Sequence, residues 1–240
     1  MPEGHQAQRR RVVSVKYLTC DQGSNQWLLA RLGRPTASNM SNIVTSTGKA
    51  CTGQTRATFM CQLLGERITG LTTEHHTSAA MERGVALEPV ARDWYEMQTG
   101  NDVQEVGFAY SKGGRWGASP DGLVGDDGGI EIKCPTLPNM IKHLLSDGVP
   151  SHWRVQIQAC LWICERTWWD FVMYTDARNV PSIIIRVERD DKVIAALGEH
   201  VPAFCDELDA KEAALRERYG IPVPESMAIE DASGDIRSPF

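Results

Sequence analysis

"SPDGLVGDDGGIEIKCP" spans residues 119–135 and sets Asp121, Glu131 and Lys133 into a stretch that otherwise reads as a β-hairpin. Its centre, "GDDGG" (125–129), supplies the turn, with glycines that tolerate positive φ. Glu131 and Lys133 stand two apart on one strand, so they point to the same face. With the turn centred near Asp127, Asp121 falls roughly opposite Lys133 on the paired strand. Three charged groups then converge on one patch flanked by Leu123, Ile130 and Ile132.

That patch suits divalent-metal hydrolysis of a phosphodiester. Two carboxylates are hard oxygen ligands for Mg2+, which keeps some waters and takes the rest of its shell from substrate phosphate. The ion makes a bound water more acidic and offsets growing negative charge. A lysine beside the attacking water holds or deprotonates it and adds positive charge. The plainer alternative is that Asp121 opens a turn while Glu131 and Lys133 form a strand ion pair. The Pro-Asp at the strand start and the aliphatics around the Glu-x-Lys favour the metal site.

Outward from the hairpin the periodicity changes character. On the N-terminal side, "GSNQWLLARLG" (23–33) is a helix capped by Ser24 or Asn25 and ended by Gly33. "PTASNMSNIV" (35–44) begins another at a proline, and "GQTRATFMCQLLGERITG" (53–70) follows. A long helix runs from about Thr77 to Gln98, capped by Thr77 or Ser78, with Pro89 either kinking it or starting a second one. "DVQEVGFAYS" (102–111), "RWGAS" (115–119), "DGLVG" (121–125) and "GIEIKC" (129–134) read as a meander of consecutive strands. Beyond it come a helix (136–148), the apolar helix "HWRVQIQACLWICE", two strands in "WWDFVMYTD" and "PSIIIRVERD", and a final amphipathic helix. The pattern implies an α/β fold, a central mixed sheet flanked by helices. It is read as one domain over residues 1–219, with a basic arm at 1–20 and an acidic, loosely held tail at 220–240.

Composition narrows the classes. The 240 residues hold 42% hydrophobic and 23% charged side chains, ordinary for a globular protein. No run of about 18 apolar residues and no apolar segment behind the N-terminal arginines occurs, so the chain reads as cytosolic, with no membrane partner. Seven cysteines without a C-x-x-C pair argue against a disulfide framework, a structural zinc and an iron–sulfur cluster. The net charge of −6 is uneven: thirteen acidic and six basic residues lie from Glu188 onward, which leaves the first 187 residues slightly basic. That balance leaves room for a DNA-facing surface in the first three quarters of the chain, which charge alone does not establish. His75 and His76 lack ligand spacing, and "RRR" (9–11) reads as a solvated arm.

"SPDG…IEIKCP" resembles the signature of the PD-(D/E)xK nuclease superfamily, in the version carried by the lambda-type phage exonucleases and related viral recombination nucleases. The likeness extends to "QWLLARLGRPTAS", to "GVALEPVARDWYEMQTG" and to "QIQACLW", spanning roughly residues 26–163 in the family's order. It implies a restriction-endonuclease-like core. It further implies that Asp121, Glu131 and the backbone carbonyl of Ile132 hold metal, with Lys133 as the catalytic lysine and Glu88 as an additional acid at a second metal. Gln158 would orient the nucleophile or a DNA phosphate, and the resemblance selects it over Gln156; two residues apart on a helix, the two cannot face one pocket. Arg31, Thr36, Ser38 and Ser119 would form a pocket for a 5′-terminal phosphate, with Trp27 near the DNA end.

From the residues alone each of these has a plainer reading. Glu88 can pair with Arg92 at i+4, Gln158 can bond the sheet backbone, Arg31 can lie on a helix surface and Trp27 in the core. The activity implied is a Mg2+-dependent 5′-to-3′ exonuclease on linear double-stranded DNA, with Mn2+ as a substitute ion. It would leave 3′ overhangs for a single-strand annealing recombinase and assemble as a homotrimeric ring in the host cytoplasm of a phage or prophage. Three rivals remain at this point: a structure-specific endonuclease, a non-catalytic module that binds DNA ends, and a hydrolase of small phosphorylated molecules.

Overall fold

Ser24 accepts the amide of Trp27 at 3.3 Å and so starts the first helix. The structure, a computed structural model, describes residues 15–72, 79–146 and 148–222, with the short strands Ile229–Glu230 and Ile236–Arg237. The run 9–11, His75, His76, the expected cap at Thr77 or Ser78 and most of the acidic tail lie outside the described residues.

In chain order the elements are strand β1 (Lys16–Leu18), helix α1 (Asn25–Arg31), a 3-10 turn (Ala37–Asn42), α2 (Gln54–Thr69), α3 (Ala79–Thr99), β2 (Val103–Gln104), β3 (Phe108–Tyr110), β4 (Gly117–Ala118), β5 (Gly122–Val124), β6 (Gly128–Lys133), α4 (Leu137–Leu144), α5 (Ser151–Ile163), β7 (Trp168–Met173), β8 (Ile183–Glu188), α6 (Asp191–Tyr219), β9 (Ile229–Glu230) and β10 (Ile236–Arg237). The helix α3 runs through Pro89 unbroken, although proline cannot donate to the turn before it. Asp190 caps α6 by accepting the amides of Lys192 and Val193.

The central sheet has five strands in the order β2-β5-β6-β7-β8, mixed because β6 and β7 are parallel while the other neighbours are antiparallel. One face packs Val124, Ile130, Ile132 and Val172 against Ala91 and Tyr95 of α3. The other turns Leu123, Trp169, Phe171 and Met173 toward Val155, Ala159 and Cys160 of α5 and Leu197, Val201 and Phe204 of α6. This is the α/β arrangement of sheet between helices expected from the sequence.

The expected four-strand meander is divided. Residues 102–111 do not form one strand: β2 joins the central sheet, whereas β3 joins β1 and β4 in a separate three-stranded sheet. Gly107 lies between them, where an added Cβ would sit 2.4 Å from the Cys20 carbonyl oxygen, so the chain can cross there only without a side chain. Lys16–Leu18, read as part of a basic arm, is the strand that completes this second sheet.

Candidate active site

The β5–β6 hairpin closes tighter than its glycines imply. Val124 pairs with Gly128, Leu123 with Gly129 and Gly122 with Ile130, leaving Gly125–Asp126–Asp127 as the loop. Continuing that register one step sets Asp121 opposite Glu131, not opposite Lys133 as a turn centred on Asp127 would have it. The correction brings the two carboxylates face to face. Asp121 Oδ2 accepts the Ile132 amide at 2.6 Å. Glu131 is almost fully buried, and its Oε1 accepts from Lys133 Nζ and from Gln156 Nε2, the latter at 2.6 Å.

Glu88 arrives from the middle of α3. Its Oε1 pairs with Arg92 at 3.0 Å, one helical turn on, and Arg92 also donates to the Asp121 carbonyl at 3.3 Å. The plain helix ion pair therefore forms, yet Glu88 still lines the same cleft as Lys133. That cleft, of about 390 Å³, is walled by Val85 and Glu88 on one side and by Ile132, Lys133, Cys134, Asn139, His143 and Trp153 on the other.

The charges are crowded. Burial and the neighbouring Glu131 push the Asp121 carboxyl up to about 7, against the pull of Lys133, the Ile132 amide and Arg92. Burial and Asp121 push Glu88 up to about 7 as well, with Arg92 and Lys133 opposing. Burial works against the Lys133 ammonium, but Glu131 and Asp121 outweigh it and raise its proton affinity. Among the described residues, Glu131 Oε2 is buried with no hydrogen-bond partner. A buried carboxylate oxygen left unpartnered, amid carboxyls that resist ionising together, is what a cation-binding site has before its cation arrives. No cluster of three His, Cys, Asp or Glu side chains is gathered to hold an ion by itself among the described residues. The donor set thus fits an ion that takes much of its shell from water and substrate, as Mg2+ does.

Gln158 does not reach this site. Its Nε2 donates to the Glu188 carbonyl at 2.8 Å and its Oε1 accepts the Asp190 amide at 2.9 Å, joining the end of β8 to the start of α6. Gln156 takes the place expected for it. The helical phase explains the exchange: Gln156 follows Trp153 by three residues, and Trp153 lines the cleft, so the two share a side of α5.

A second polar cluster forms where α1 meets the loop before β5. Trp27 Nε1 donates to Ser119 Oγ at 2.8 Å, Arg31 donates to the same oxygen at 3.0 Å and to Ser38 Oγ at 3.4 Å, and Thr36 Oγ1 lies 3.2 Å from Ser38 Oγ. The Arg31 guanidinium stacks 4.3 Å from the Trp27 ring. Burial draws Arg31 down to about 10, with Glu66 opposing, so it remains a cation at neutral pH. Among the described residues it meets hydroxyls and an aromatic face but no carboxylate at ion-pair distance. Beside it a smaller cleft of about 80 Å³ is lined by Trp27, Arg31, Arg34, Thr36 and Glu66. Trp27, open to a core reading in the sequence, is a member of this cluster.

Sequence reasoning passed over Arg92 except as a partner for Glu88, and Gln22, whose side chain holds the Pro120 carbonyl at 2.9 Å between Ser119 and Asp121. Arg92 lies within "GVALEPVARDWYEMQTG", where the resemblance gives only Glu88 a role, and Gln22 carries no motif that marks it.

Residues 26–167 match the model of the YqaJ-like viral recombinase domain. Two crystal structures of an alkaline exonuclease from Laribacter hongkongensis superpose with a TM-score of 0.75 each, at 36% identity for one and 37% for the other, which contains dAMP; both cover 82% of this chain and 98% of that protein. A phage-related exonuclease from Haemophilus somnus shares the fold at 13% identity, with a TM-score of 0.52 over 83% of this chain and 97% of its own. No curated protein matches the chain in sequence. The family match extends over more than half of the chain, and the identity to the alkaline exonuclease holds across nearly all of that protein. The chain belongs to the YqaJ-like viral recombinase family, and its fold is that of an alkaline exonuclease.

Proposed function

We propose that the protein is a Mg2+-dependent exonuclease that degrades one strand of linear double-stranded DNA from its 5′ end. The observation that carries this reading is the spacing of the two polar clusters. Ser119, bonded to Arg31 and Trp27, stands two residues before Asp121. Two residues of extended chain span at most about 7 Å. A phosphate held by Arg31 and Ser119 is therefore a close neighbour, along one strand, of the bond cut at Asp121. An endonuclease has no need of such an end pocket, and a module that only binds ends has no need of the carboxylates.

Asp121, Glu131 and the Ile132 carbonyl are the residues that would hold a divalent cation, with Glu88 toward a second; Mn2+ suits the same donors. When bound, such a cation supplies positive charge to the phosphoryl oxygens and acidity to water. Lys133, charged in the resting site, holds the attacking water and donates toward the oxygens where negative charge grows. Gln156 fixes the Glu131 carboxylate through its amide, which leaves the other oxygen free for the cation. Arg31, with its planar fork, grips the terminal phosphate, and Ser38, Ser119 and Thr36 complete the pocket.

The product is a duplex with a 3′ single strand, the substrate of an annealing recombinase. A homotrimeric ring, with basic groups lining the channel and the acidic C-terminal quarter outward, reconciles the net charge of −6 with a DNA substrate. The test is digestion of 5′-phosphorylated linear, 5′-hydroxyl linear and covalently closed circular duplex in Mg2+, with Ca2+ as control. Mg2+-dependent loss of linear DNA, fastest on the phosphorylated end, supports the reading; cleavage of closed circles at a similar rate overturns it.

A further inference from the structure

The Arg31 pocket is assembled from two segments that the chain does not join directly: the turn from Arg31 to Ser38, and the loop Ser119–Asp121 after β4. The first segment pivots at Gly33, whose φ of 63° is left-handed. Leu32, Gly33 and Arg34 are buried there, away from water that could satisfy their backbone. Both polar groups of Gly33 are instead held by two consecutive residues of α2. Its amide donates to Glu66 Oε2 at 2.9 Å, and its carbonyl accepts from Arg67 Nε at 2.8 Å.

Arg67 does not stop at Gly33. Its guanidinium, 3% exposed, reaches Asp209 at 2.6 Å and Glu212 at 3.3 Å on α6. The other oxygen of Asp209 accepts from Arg115 at 2.6 Å. Arg115 belongs to the turn between β3 and β4, immediately upstream of Ser119. The same turn is tied to the first segment by Arg34, which donates to the Gly114 carbonyl at 2.7 Å, and the strand β4 that follows it by the Gly117 amide, which donates to the Pro35 carbonyl at 3.1 Å. One carboxylate on α6 therefore braces both segments at once, one through Arg67 and the other through Arg115.

We infer that Asp209 and the Glu66–Arg67 pair are positioning residues for the terminal-phosphate pocket, setting the distance between Arg31 and Ser119 from a helix that touches neither. This rests on the reading of Arg31 as the residue that grips the 5′ phosphate. None of the three contacts the cleft at Lys133, so their effect falls on capture of the DNA end rather than on bond cleavage. Glu66 has a second effect, because its carboxylate lies near Arg31 and opposes a phosphate dianion there.

The full chain carrying Asp209→Asn is assayed on 5′-phosphorylated and 5′-hydroxyl linear duplex, with kcat and KM measured separately. Asp209 is half-exposed, so the variant is expected to fold; Glu66→Gln, which keeps an oxygen acceptor for Gly33, is the companion. Asp209→Asn is expected to raise KM for the phosphorylated end about three- to tenfold, to leave KM for the hydroxyl end within twofold, and to leave kcat unchanged. Combined with Arg31→Ala it is expected to add nothing to the loss caused by Arg31→Ala alone. Glu66→Gln is expected to retain or tighten phosphate discrimination, whereas Glu66→Ala loses it. Equal losses on both ends, or an Asp209→Asn effect that persists undiminished in the Arg31→Ala background, overturn the inference. If Arg31→Ala itself leaves discrimination intact, the fault lies with the pocket reading on which the inference stands.

Discussion

Gln156 Nε2 lies 2.6 Å from Glu131 Oε1, while Gln158, two residues on, spends both ends of its amide on the backbone of Glu188 and Asp190. The two glutamines therefore fail differently when removed. Gln156→Ala leaves Glu131 held by Lys133 alone and is expected to lower kcat by about 10- to 100-fold with little change in Tm. Gln158→Ala removes a buried side chain and breaks its hydrogen bonds to the partly buried Glu188 carbonyl and Asp190 amide, each worth about 0.5–1.5 kcal/mol. It is expected to lower Tm by several degrees while the rate per folded molecule stays near that of the parent. Thermal melts and single-turnover rates on the same two preparations separate the cases.

Much of this site was legible because its residues break local rules. A carboxylate, a second carboxylate and a lysine among Leu123, Ile130 and Ile132 have no structural reason to be there, and they are neighbours in sequence. Their sheet and its helices follow from period-2 and period-3.6 patterns. What was not legible depends on phase. The hairpin register turned on whether Gly128 and Gly129 belong to the loop or to β6, and "GDDGG" does not say. The choice between Gln156 and Gln158 needs the rotation of α5 against the sheet, which two glutamines in an otherwise apolar helix leave open. The division of residues 102–111 between two sheets rests on a contact with Cys20, almost ninety residues away.

Gly128 and Gly129 are glycines for a reason other than turning. Both lie in β6, where an added Cβ would come within 2.0 Å of the Trp168 ring at Gly128 and 2.4 Å of the Trp169 ring at Gly129. Trp169 is fully buried and cannot retreat. Gly129→Ala is expected to destabilise the fold by about 2–4 kcal/mol or to prevent folding, since overpacking forces side chains off their rotamers. Gly125→Ala, in the loop at φ 53° with open space around it, is expected to cost only about 1 kcal/mol from backbone strain. Denaturant titration of the two variants measures the difference.

Lys133 and Glu131 depend on each other unequally. Glu131 is 1% exposed and Lys133 27%. Lys133→Ala removes a charge that balances a buried carboxylate, so it is expected to cost stability as well as rate: about 10²- to 10³-fold in kcat for the lost donor, with a melt that shifts downward. Glu131→Gln removes a cation ligand without leaving a buried anion unpaired. It is expected to abolish Mg2+-dependent turnover while melting at or above the temperature of the parent in EDTA. A Lys133→Ala variant that cuts linear duplex at the parental rate would remove the lysine from the mechanism.

The raised carboxyls give the metal-free protein an inverted pH dependence. In the folded chain Asp121 and Glu88 keep their protons up to about pH 7. In the unfolded chain they ionise near pH 4. Between those values the folded state binds more protons than the unfolded one, so stability falls as pH rises and the loss is complete above pH 7. The total is on the order of a few kcal/mol, and for a chain of this size each kcal/mol moves Tm by about 2–4 °C. In EDTA the protein is expected to melt several degrees higher at pH 5.5 than at pH 8. Mg2+ needs both carboxyls ionised, so it is expected to bind more tightly as pH climbs through 7 and to restore at pH 8 most of what was lost. Asp121→Asn is expected to flatten the EDTA curve and to abolish the Mg2+ response together. Melting curves at four pH values, with and without the ion, decide the matter: a parent whose Tm in EDTA rises from pH 5.5 to 8 would mean that burial and the neighbouring carboxyls do not keep these two groups protonated in the folded chain.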